Sequence, residues 1–343
     1  MISAKKNNFI VEFRASTIRA ARISSDTAPT VIEKVVEIDL SKEESPATII
    51  REFSGAKPTG YLHASCSVYP QDRIVRQVLL DAQRGKEVEF VVDYLKNTVG
   101  VDPEAFSAYC LSTQDGGDIE LSAYNKKDVL LCGTSKASVA EIQNRLVDSA
   151  IYPRRLELGT IGTIGVLKSE IGDDASRSPI LFLEIDVDST NAVIVGPKGV
   201  EMARRIDCGS TYIVQALKEE MNLKDESAAE KILKSQDFDL GPIAPKLLRK
   251  LLRELQSSIG FFEVQTGSSV SELYCLKDGR ILPWLENSIC DLLNMSPLRF
   301  DIGKWLEVNN ITFQSDDCIQ KLDSTWVSLF SLVMEFGKGR EAS

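Results

Sequence analysis

Two stretches of the chain share one arrangement of apolar and polar positions. Residues 8–39 and residues 178–207 each alternate or run apolar in three successive segments. Alternation with a period of two, bounded by turn residues, is typical of β-strands. An acidic residue stands late in the first segment of each copy and a Ser/Thr turn follows it: Glu12 with Ser16-Thr17, and Glu184 with Ser189-Thr190. The pattern predicts two related lobes whose acidic turns face a common cleft.

Elsewhere the apolar positions recur every three to four residues, as they do in amphipathic helices. This period predicts helices within residues 45–53, 86–100, 135–150, 157–170, 210–221, 225–235, 242–264, 281–289 and 323–337. Residues 118–135 predict a hairpin whose turn holds Asn125, Lys126 and Lys127. The polar segment 172–179 is the best candidate linker. Strands with interspersed helices indicate a mixed α/β protein.

The composition favours a globular, cytosolic protein of two domains. Its 343 residues exceed one ordinary core, and its 43% hydrophobic and 26% charged residues are typical of folded proteins. The net charge of −10 argues against a nucleic-acid surface and against direct contact with anionic lipids. No apolar run approaches the roughly 20 residues that span a bilayer, and the first residues lack a secretion signal.

The cysteines, the histidine and the glycine repeat do not indicate a catalytic or metal site. The seven cysteines contain no C-x-x-C pair, so neither a disulfide framework nor a zinc site is expected. The single histidine, His63, lies in an alternating segment, where a structural role is favoured over a catalytic triad. The glycine repeat over residues 159–165 lacks the Gly-Lys-Ser/Thr ending of a phosphate loop and predicts close helix packing.

The order and spacing of several segments resemble the actin-like ATPase superfamily, and within it the PilM family of type IV pilus assembly proteins, which is related to FtsA. The segments are VYPQDRIVRQVLL, KEVEFVVDYL, DVLLCGTSKASVAEIQNRLVDSAIYPRRLEL, RRIDCGSTYIVQAL, AAEKILK and ILPWL. The resemblance covers almost the whole chain. It implies a two-domain α/β fold of duplicated, ribonuclease-H-like halves with a small inserted α/β subdomain. The implied boundaries are 1–175 with 318–343 for domain 1, about 70–157 for the insert, and 178–317 for domain 2.

The resemblance also implies a nucleotide site, whose first phosphate loop is altered here. The family's loop has the form Asp-x-Gly-x-x-x-x-Lys, and this chain has Glu12, Arg14 and Arg19 at those three positions, with Ser16 and Thr17 between them. Glu12 keeps the negative charge that would orient metal-bound water. Arg14 places a large side chain where a glycine would let backbone N–H groups approach phosphate.

The second phosphate loop and the adenosine-side turn are altered as well. Glu184 and Asp186 stand at the head of the second loop, with Thr190 downstream, and Asp186 adds negative charge beside a polyanion. The family's Gly-Gly turn corresponds to residues 277–280, in which only Gly279 is a glycine. The adenosine-side elements that match are Gly209 and the pair Glu230-Lys231.

These residues leave alternatives open. Glu12 and Glu184 form either a metal–phosphate site, which would hold Mg²⁺ only with bound ATP, or two surface acids at strand ends. We expect Arg14, Arg19, Lys277 and Arg280 to be solvated cations, with an altered anion pocket as the alternative. The altered loops favour a protein without enzymatic activity and without a cofactor, and Mg-ATP is the alternative cofactor.

The resemblance therefore implies a cytoplasmic, actin-like scaffold of the type IV pilus machinery, peripheral to the inner membrane. Its implied partners are the cytoplasmic tail of a PilN-like inner-membrane protein and other motor and platform components such as PilB, PilT and PilC. Contact with the membrane would be through partners only, and self-association is compatible with the family. The alternatives are a weak Mg-ATPase of the same machinery and an actin-like component of a type II secretion platform.

Overall fold

The computed structural model describes residues 8–334 except 43, 56, 58, 236–237, 278–283 and 316–321. Its strands are β1 Asn8–Phe13, β2 Thr17–Ile23, β3 Thr30–Asp39, β4 Leu62–Val68, β5 Ile74–Leu80, β6 Phe106–Ser112, β7 Lys127–Ser135, β8 Ile151–Leu158, β9 Ile180–Ile185, β10 Thr190–Gly196, β11 Gly199–Ile206, β12 Glu272–Lys277, β13 Ser296–Pro297 and β14 Ile311–Phe313. Its helices are α1 Pro46–Ser54, α2 Glu87–Tyr94, α3 Lys136–Asp148, α4 Gly159–Ile171, α5 Ser210–Glu220, α6 Glu226–Lys234, α7 Ala244–Leu247, α8 Arg249–Thr266, α9 Trp284–Leu293, α10 Ile302–Val308 and α11 Val327–Phe330.

Two mixed sheets repeat one topology. The first has the order β14-β3-β2-β1-β4-β8 and the second has the order β11-β10-β9-β12-β13. In each sheet three consecutive strands form an antiparallel meander, and a fourth strand adds parallel to the first strand of that meander. The predicted duplication of a three-stranded unit is therefore confirmed, and β1 corresponds to β9.

The helices between the two sheets build a core that both sheets share. Ile10 of β1 and Phe182 of β9 belong to one buried cluster with Leu167 of α4 and Phe330 of α11. Gly162 of α4 allows this close packing, because a Cβ atom there would lie 2.3 Å from the Ser331 hydroxyl oxygen. The glycine repeat thus serves helix packing, as the sequence predicted. Two further clusters cover the outer faces of the sheets.

A three-stranded sheet of order β5-β7-β6 forms a small subdomain between β4 and β8. One face packs under α2 around Phe106, Val129 and Leu131. The opposite face contributes Val75 and Leu130 to the core shared by the two large sheets. This subdomain therefore contacts both lobes and does not project from one of them.

Three predicted elements differ from the structure: the hairpin over 118–135, the helix over 242–264 and the helix over 323–337. In the last of these, α11 is a four-residue helix between two 3-10 turns, and residues 335–337 lie outside the described residues. The partner of β7 is the segment Phe106–Ser112 and not residues 118–126, of which Asp118 makes one isolated bridge to Leu111. The reason is that Phe106, Ala108 and Cys110 supply the alternating apolar face that packs under α2. The helix predicted over 242–264 is interrupted at Leu248, where α7 ends and α8 begins one residue later.

Within the described residues, none of the helices combines the length and the apolar character that crossing a membrane requires.

Candidate functional site

The cleft between the two sheets begins at Glu12, near the end of β1. The antiparallel register places Glu12 opposite Arg19 of β2. The Glu12 side chain is 1% exposed and accepts hydrogen bonds from Arg14 Nε (2.9 Å), the Tyr69 hydroxyl (2.9 Å), Arg19 Nη1 (3.4 Å) and the Ser328 hydroxyl. Burial alone would raise the pKa of Glu12, but Arg14 and Arg19 outweigh it and hold the pKa below its usual value. Glu12 is therefore a buried carboxylate whose charge is neutralised by its own hairpin.

Arg14 lies across the cleft-facing side of this hairpin. Its guanidinium carbon is 3.9 Å from the centre of the Tyr69 ring, within the range of a cation–π contact. Gly159 at the start of α4 leaves room for Tyr69, since a Cβ atom on Gly159 would lie 2.1 Å from the Tyr69 ring. The side chains of Arg14 and Tyr69 therefore stack on each other beside the turn between β1 and β2.

Arg19 contacts groups outside the cleft as well as Glu12. Its Nε donates to Glu37 Oε2 at 2.6 Å, and its Nη1 donates to the carbonyl oxygen of Thr325 at 2.7 Å. The Arg14 and Arg19 side chains are 19% and 15% exposed, so the prediction that they are solvated cations is wrong. Because Glu12 is buried within their reach, both become its ion-pair partners.

The second half of the cleft is organised by Arg73, which precedes β5 and which no pattern in the sequence marked as a site residue. Its side chain is 1% exposed, and its Nη2 lies 2.6 Å from both Glu184 Oε2 and Asp186 Oδ2. Its Nε donates to the Thr160 hydroxyl at 2.8 Å, and its Nη1 donates to the Pro70 carbonyl at 2.9 Å. One guanidinium therefore ties the entry of the inserted subdomain to the acidic loop after β9.

Glu184 is as deeply buried as Glu12. Its side chain is 1% exposed, and its Oε2 also accepts from the Thr160 hydroxyl at 2.6 Å and from Asn191 Nδ2 at 3.2 Å. Burial raises the pKa of Glu184, but Arg73 and Arg14 outweigh that effect and lower it. Glu12 and Glu184 are thus neither surface acids nor free metal ligands.

Asp186 behaves differently from the two glutamates. Burial, aided by the nearby charge of Glu184, raises the pKa of Asp186 to about 6 despite the opposing charge of Arg73. The three carboxylates and the guanidiniums of Arg14, Arg19 and Arg73 balance in formal charge. Of the three carboxylates, Asp186 is the one whose charge is least stabilised.

The backbone of the Asp186 loop packs tightly against the start of α5. A Cβ atom on Gly209 would lie 2.4 Å from the Val187 carbonyl oxygen, so only glycine fits there. The Ser210 amide donates to the Asp186 carbonyl at 2.8 Å, and the Thr190 hydroxyl donates to the Cys208 carbonyl at 2.6 Å. Gly209 and Thr190 therefore hold the loop in place through contacts within the chain.

The remaining predicted site residues do not join this cluster. Ser16 and Thr17 lie at the first hairpin turn, where their hydroxyl oxygens are 3.4 Å apart. Glu230 and Lys231 lie in the middle of α6, and no hydrogen bond or ion pair between described residues joins them to the cleft. Gly279 and Arg280 lie outside the described residues, and Lys277 is the last residue of β12.

The donor set does not suit Mg-ATP as it is arranged. Both glutamates are paired with guanidiniums, and Asp186 would meet the phosphates with a further negative charge. Over the described part of the chain, no group of three or more His, Cys, Asp or Glu side chains is placed to hold a metal ion. The cleft contains an internal ion-pair network at the ends of β1 and β9.

Comparisons with known proteins bear on the fold. Neither protein-family models nor curated proteins give a match to the sequence. A solved PilM–PilN type IV pilus biogenesis complex is similar in structure, with a TM-score of 0.65 and 17% identity, over 96% of this chain and 98% of that chain.

Two other solved structures are more distant. A protein of Bacteroides thetaiotaomicron with an actin-like ATPase fold matches with a TM-score of 0.40 and 11% identity, over 87% of this chain and 93% of that chain. The cytoplasmic domain of EpsL from Vibrio cholerae, an inner-membrane component of the type II secretion system, matches with a TM-score of 0.36 and 11% identity, over 63% and 74%. The chain thus has the actin-like fold that PilM has, as its sequence predicted.

Proposed function

We propose that this protein is an actin-like scaffold of a type IV pilus assembly machinery, and that it acts by binding other proteins. The likeness to PilM carries the proposal, because it extends over nearly the full length of both chains. The identity of 17% shows the fold only. The assignment to this machinery is therefore our inference from the full-length match.

We further propose that the cleft is a degenerate nucleotide site held together by arginines. A nucleotide with its phosphates at both loops would have to displace Arg14 or Arg73 from a buried carboxylate. Removing one partner of a buried pair typically costs about 3–5 kcal/mol. That cost works against nucleotide binding and favours one fixed arrangement of the two lobes.

The proposed partner is a PilN-like inner-membrane protein, because the solved PilM structure is a complex with PilN. Its cytoplasmic tail would dock as an extended segment between domain 1 and the inserted subdomain, through backbone hydrogen bonds and apolar contacts. The protein would then be cytoplasmic and reach the inner membrane through this partner. Pilus motor and platform proteins would be further partners.

Isothermal titration calorimetry with a synthetic peptide of the cognate partner's cytoplasmic tail tests the scaffold function. We expect a dissociation constant of about 1–10 μM or tighter. A peptide with the same composition in scrambled order is the control. No heat of binding from the native tail at protein concentrations well above that range would refute the proposal.

A weak Mg-ATPase is the second candidate, because Glu12 and Glu184 keep acidic side chains at corresponding ends of β1 and β9. Thermal unfolding with MgATP separates the two functions. If the site binds MgATP, ligand at one hundred times Kd raises the free energy of unfolding by about 2.7 kcal/mol. The scaffold proposal predicts no shift in Tm. A rise in Tm that Glu12→Gln abolishes would support the ATPase instead.

A further inference from the structure

A groove of about 490 Å³ lies on the inserted subdomain, away from the cleft. One wall is the apolar stripe of α2, which includes Val88, Val91 and Val92, and the other wall is β6 with Ala108 and Cys110. On the opposite face of the insert's sheet, Val75 of β5 and Leu130 of β7 are buried in the core shared by the two lobes. The groove therefore opens on the outer face of the insert and is separate from the surface between the insert and domain 1.

The strand that borders this groove has an open edge. β6 pairs with β7 on one side and is the last strand of its sheet. Among the described residues, its other side makes a single bridge, between Leu111 and Asp118 at its C-terminal end. The backbone from Ser107 to Cys110 thus has no strand beside it. A sheet edge of this kind is a template for an added strand.

Apolar side chains on both faces of this edge are exposed. Val88 and Val92 of α2 are 67% and 41% exposed, and Tyr109, on the opposite face of β6, is 67% exposed. An extended segment beside β6 would place alternate side chains against the α2 valines and against Tyr109. Both faces of an added strand would therefore find apolar contacts.

The charge around the groove specifies the chemistry of that segment. Residues 86–121 contain eight carboxylates and two lysines. Lys86 lies 3.5 Å from Glu89, and Asp118 is itself part of the groove lining. Seven of these carboxylates and both lysines are exposed, and this predominantly acidic stretch is called the acidic rim below. Its charge favours a segment rich in Lys or Arg and disfavours a second, equally acidic copy of this chain.

We propose that β6 binds an extended basic segment of a partner protein as a fourth strand of the insert's sheet. Alternate apolar residues of the segment fill the groove beside Val88 and Val92, and its lysines or arginines face the acidic rim. The site is additional to the one assigned to the membrane partner's tail. It depends on the exposed strand edge and not on the assignment to pilus assembly.

A labelled peptide of alternating lysine and valine, Ac-Lys-Val-Lys-Val-Lys-Val-Lys-NH2, is the probe, and fluorescence anisotropy measures its binding. We expect a Kd of about 10–100 μM. Replacing its lysines with glutamates should weaken binding at least about tenfold, because the rim is acidic. The backbone amides of the bound peptide alternate between facing β6 and facing away from it. N-methylation of the set that faces β6 should abolish binding, whereas N-methylation of the other set should leave binding unchanged.

The variant Val88→Lys should weaken binding of the lysine–valine peptide at least about tenfold, because it adds a cation at the groove. Val264→Lys is the matched control, since Val264 is 87% exposed on α8 of the other lobe, and it should leave binding unchanged. The proposal would be overturned if the peptide does not bind, or if Val88→Lys and Val264→Lys lose peptide binding equally. It would also be overturned if the two sets of methylated amides affect binding equally.

A second measurement separates this site from the proposed function. Val88→Lys should leave binding of the membrane partner's tail peptide unchanged. If the tail binds neither protein while the lysine–valine peptide behaves as expected, the pilus assignment fails and the groove stands. If Val88→Lys abolishes binding of the tail as well, the two surfaces are one and the proposal of an additional site is overturned.

Discussion

The two corresponding loops of the cleft neutralise the same acidic position by different means. Glu12 is neutralised by Arg14 and Arg19, which belong to its own hairpin. Glu184 is neutralised by Arg73, which lies 111 residues earlier in the sequence and enters from the inserted subdomain. Local pairing stabilises one hairpin, whereas the distant pairing joins the insert to the second lobe. Loss of Arg14 or Arg19 would therefore affect only the hairpin that carries Glu12. Loss of Arg73 would also loosen the contact between the inserted subdomain and the second lobe.

The largest expected effect follows from Arg73→Met, which leaves Glu184 buried without its guanidinium. We expect the free energy of unfolding to fall by about 3–5 kcal/mol, because an unpaired buried charge remains. Chemical denaturation with urea measures the change. The double variant Arg73→Met with Glu184→Gln should recover much of the loss.

Arg204→Ala is the matched control for that experiment. Arg204 pairs with Glu254, but their side chains are 39% and 32% exposed. Exposed pairs contribute about 0–1 kcal/mol. If Arg73→Met costs no more than Arg204→Ala, the second loop does not depend on its distant partner and the contrast between the loops is wrong.

A smaller effect is expected from Arg14→Met in the first loop. Glu12 would keep the hydrogen bonds from Arg19, Tyr69 and Ser328, so the charge stays partly compensated. We expect a loss of about 1–3 kcal/mol, the range for hydrogen bonds to charged groups. Urea unfolding under the same conditions checks it. A loss equal to or larger than that of Arg73→Met would reverse the ranking of the two loops.

The smallest effect concerns pH and Asp186. Its pKa is raised to about 6 in the folded protein from an ordinary value of 3.8, so the folded state binds this proton more tightly than the unfolded state. The Asp186 contribution therefore favours folding below about pH 4, and it is lost as the pH rises to about 6. Asp186→Asn should remove that contribution.

The measurement is the difference in unfolding free energy between Asp186→Asn and the parent protein from pH 4 to pH 8. We expect the difference to move in favour of the variant by about 2 kcal/mol as the pH rises, since a raised pKa means that the charged form is disfavoured. Asp173→Asn, at an exposed ion pair with Lys168, is the control. A difference that is flat with pH would show that Arg73 fully compensates Asp186.

The sequence predicted the elements whose signals are local. The alternation around β1 and β9, with Glu12 and Glu184 late in each strand, defined both lobes and the acidic positions of the cleft. The close packing of the α4 glycines followed from their spacing and the absence of a phosphate-loop ending. These features depend on residues that are close to one another in the sequence.

The interactions that decide the state of the cleft are not local. Arg73 stands between a turn and an apolar strand, and its carboxylate partners follow β9 in the other lobe, so no spacing in the sequence connects them. A single charge directly before an apolar strand was the available signal. Arg14 and Arg19 were expected in solvent because their partner was not recognised as buried. The strand Phe106–Ser112 was missed because, after Phe106, the residues of its apolar face are the small Ala108 and Cys110, which give a weak alternation signal.

The inserted sheet also has a mechanical consequence. Its outer strand faces open surroundings, its inner face is embedded among both lobes, and Arg73 stands immediately before its first strand. Three strands therefore separate the exposed edge of β6 from the charged groups at the centre of the molecule. A force applied at that edge would be transmitted through the sheet to Arg73, whose ion pairs join the insert to the second lobe.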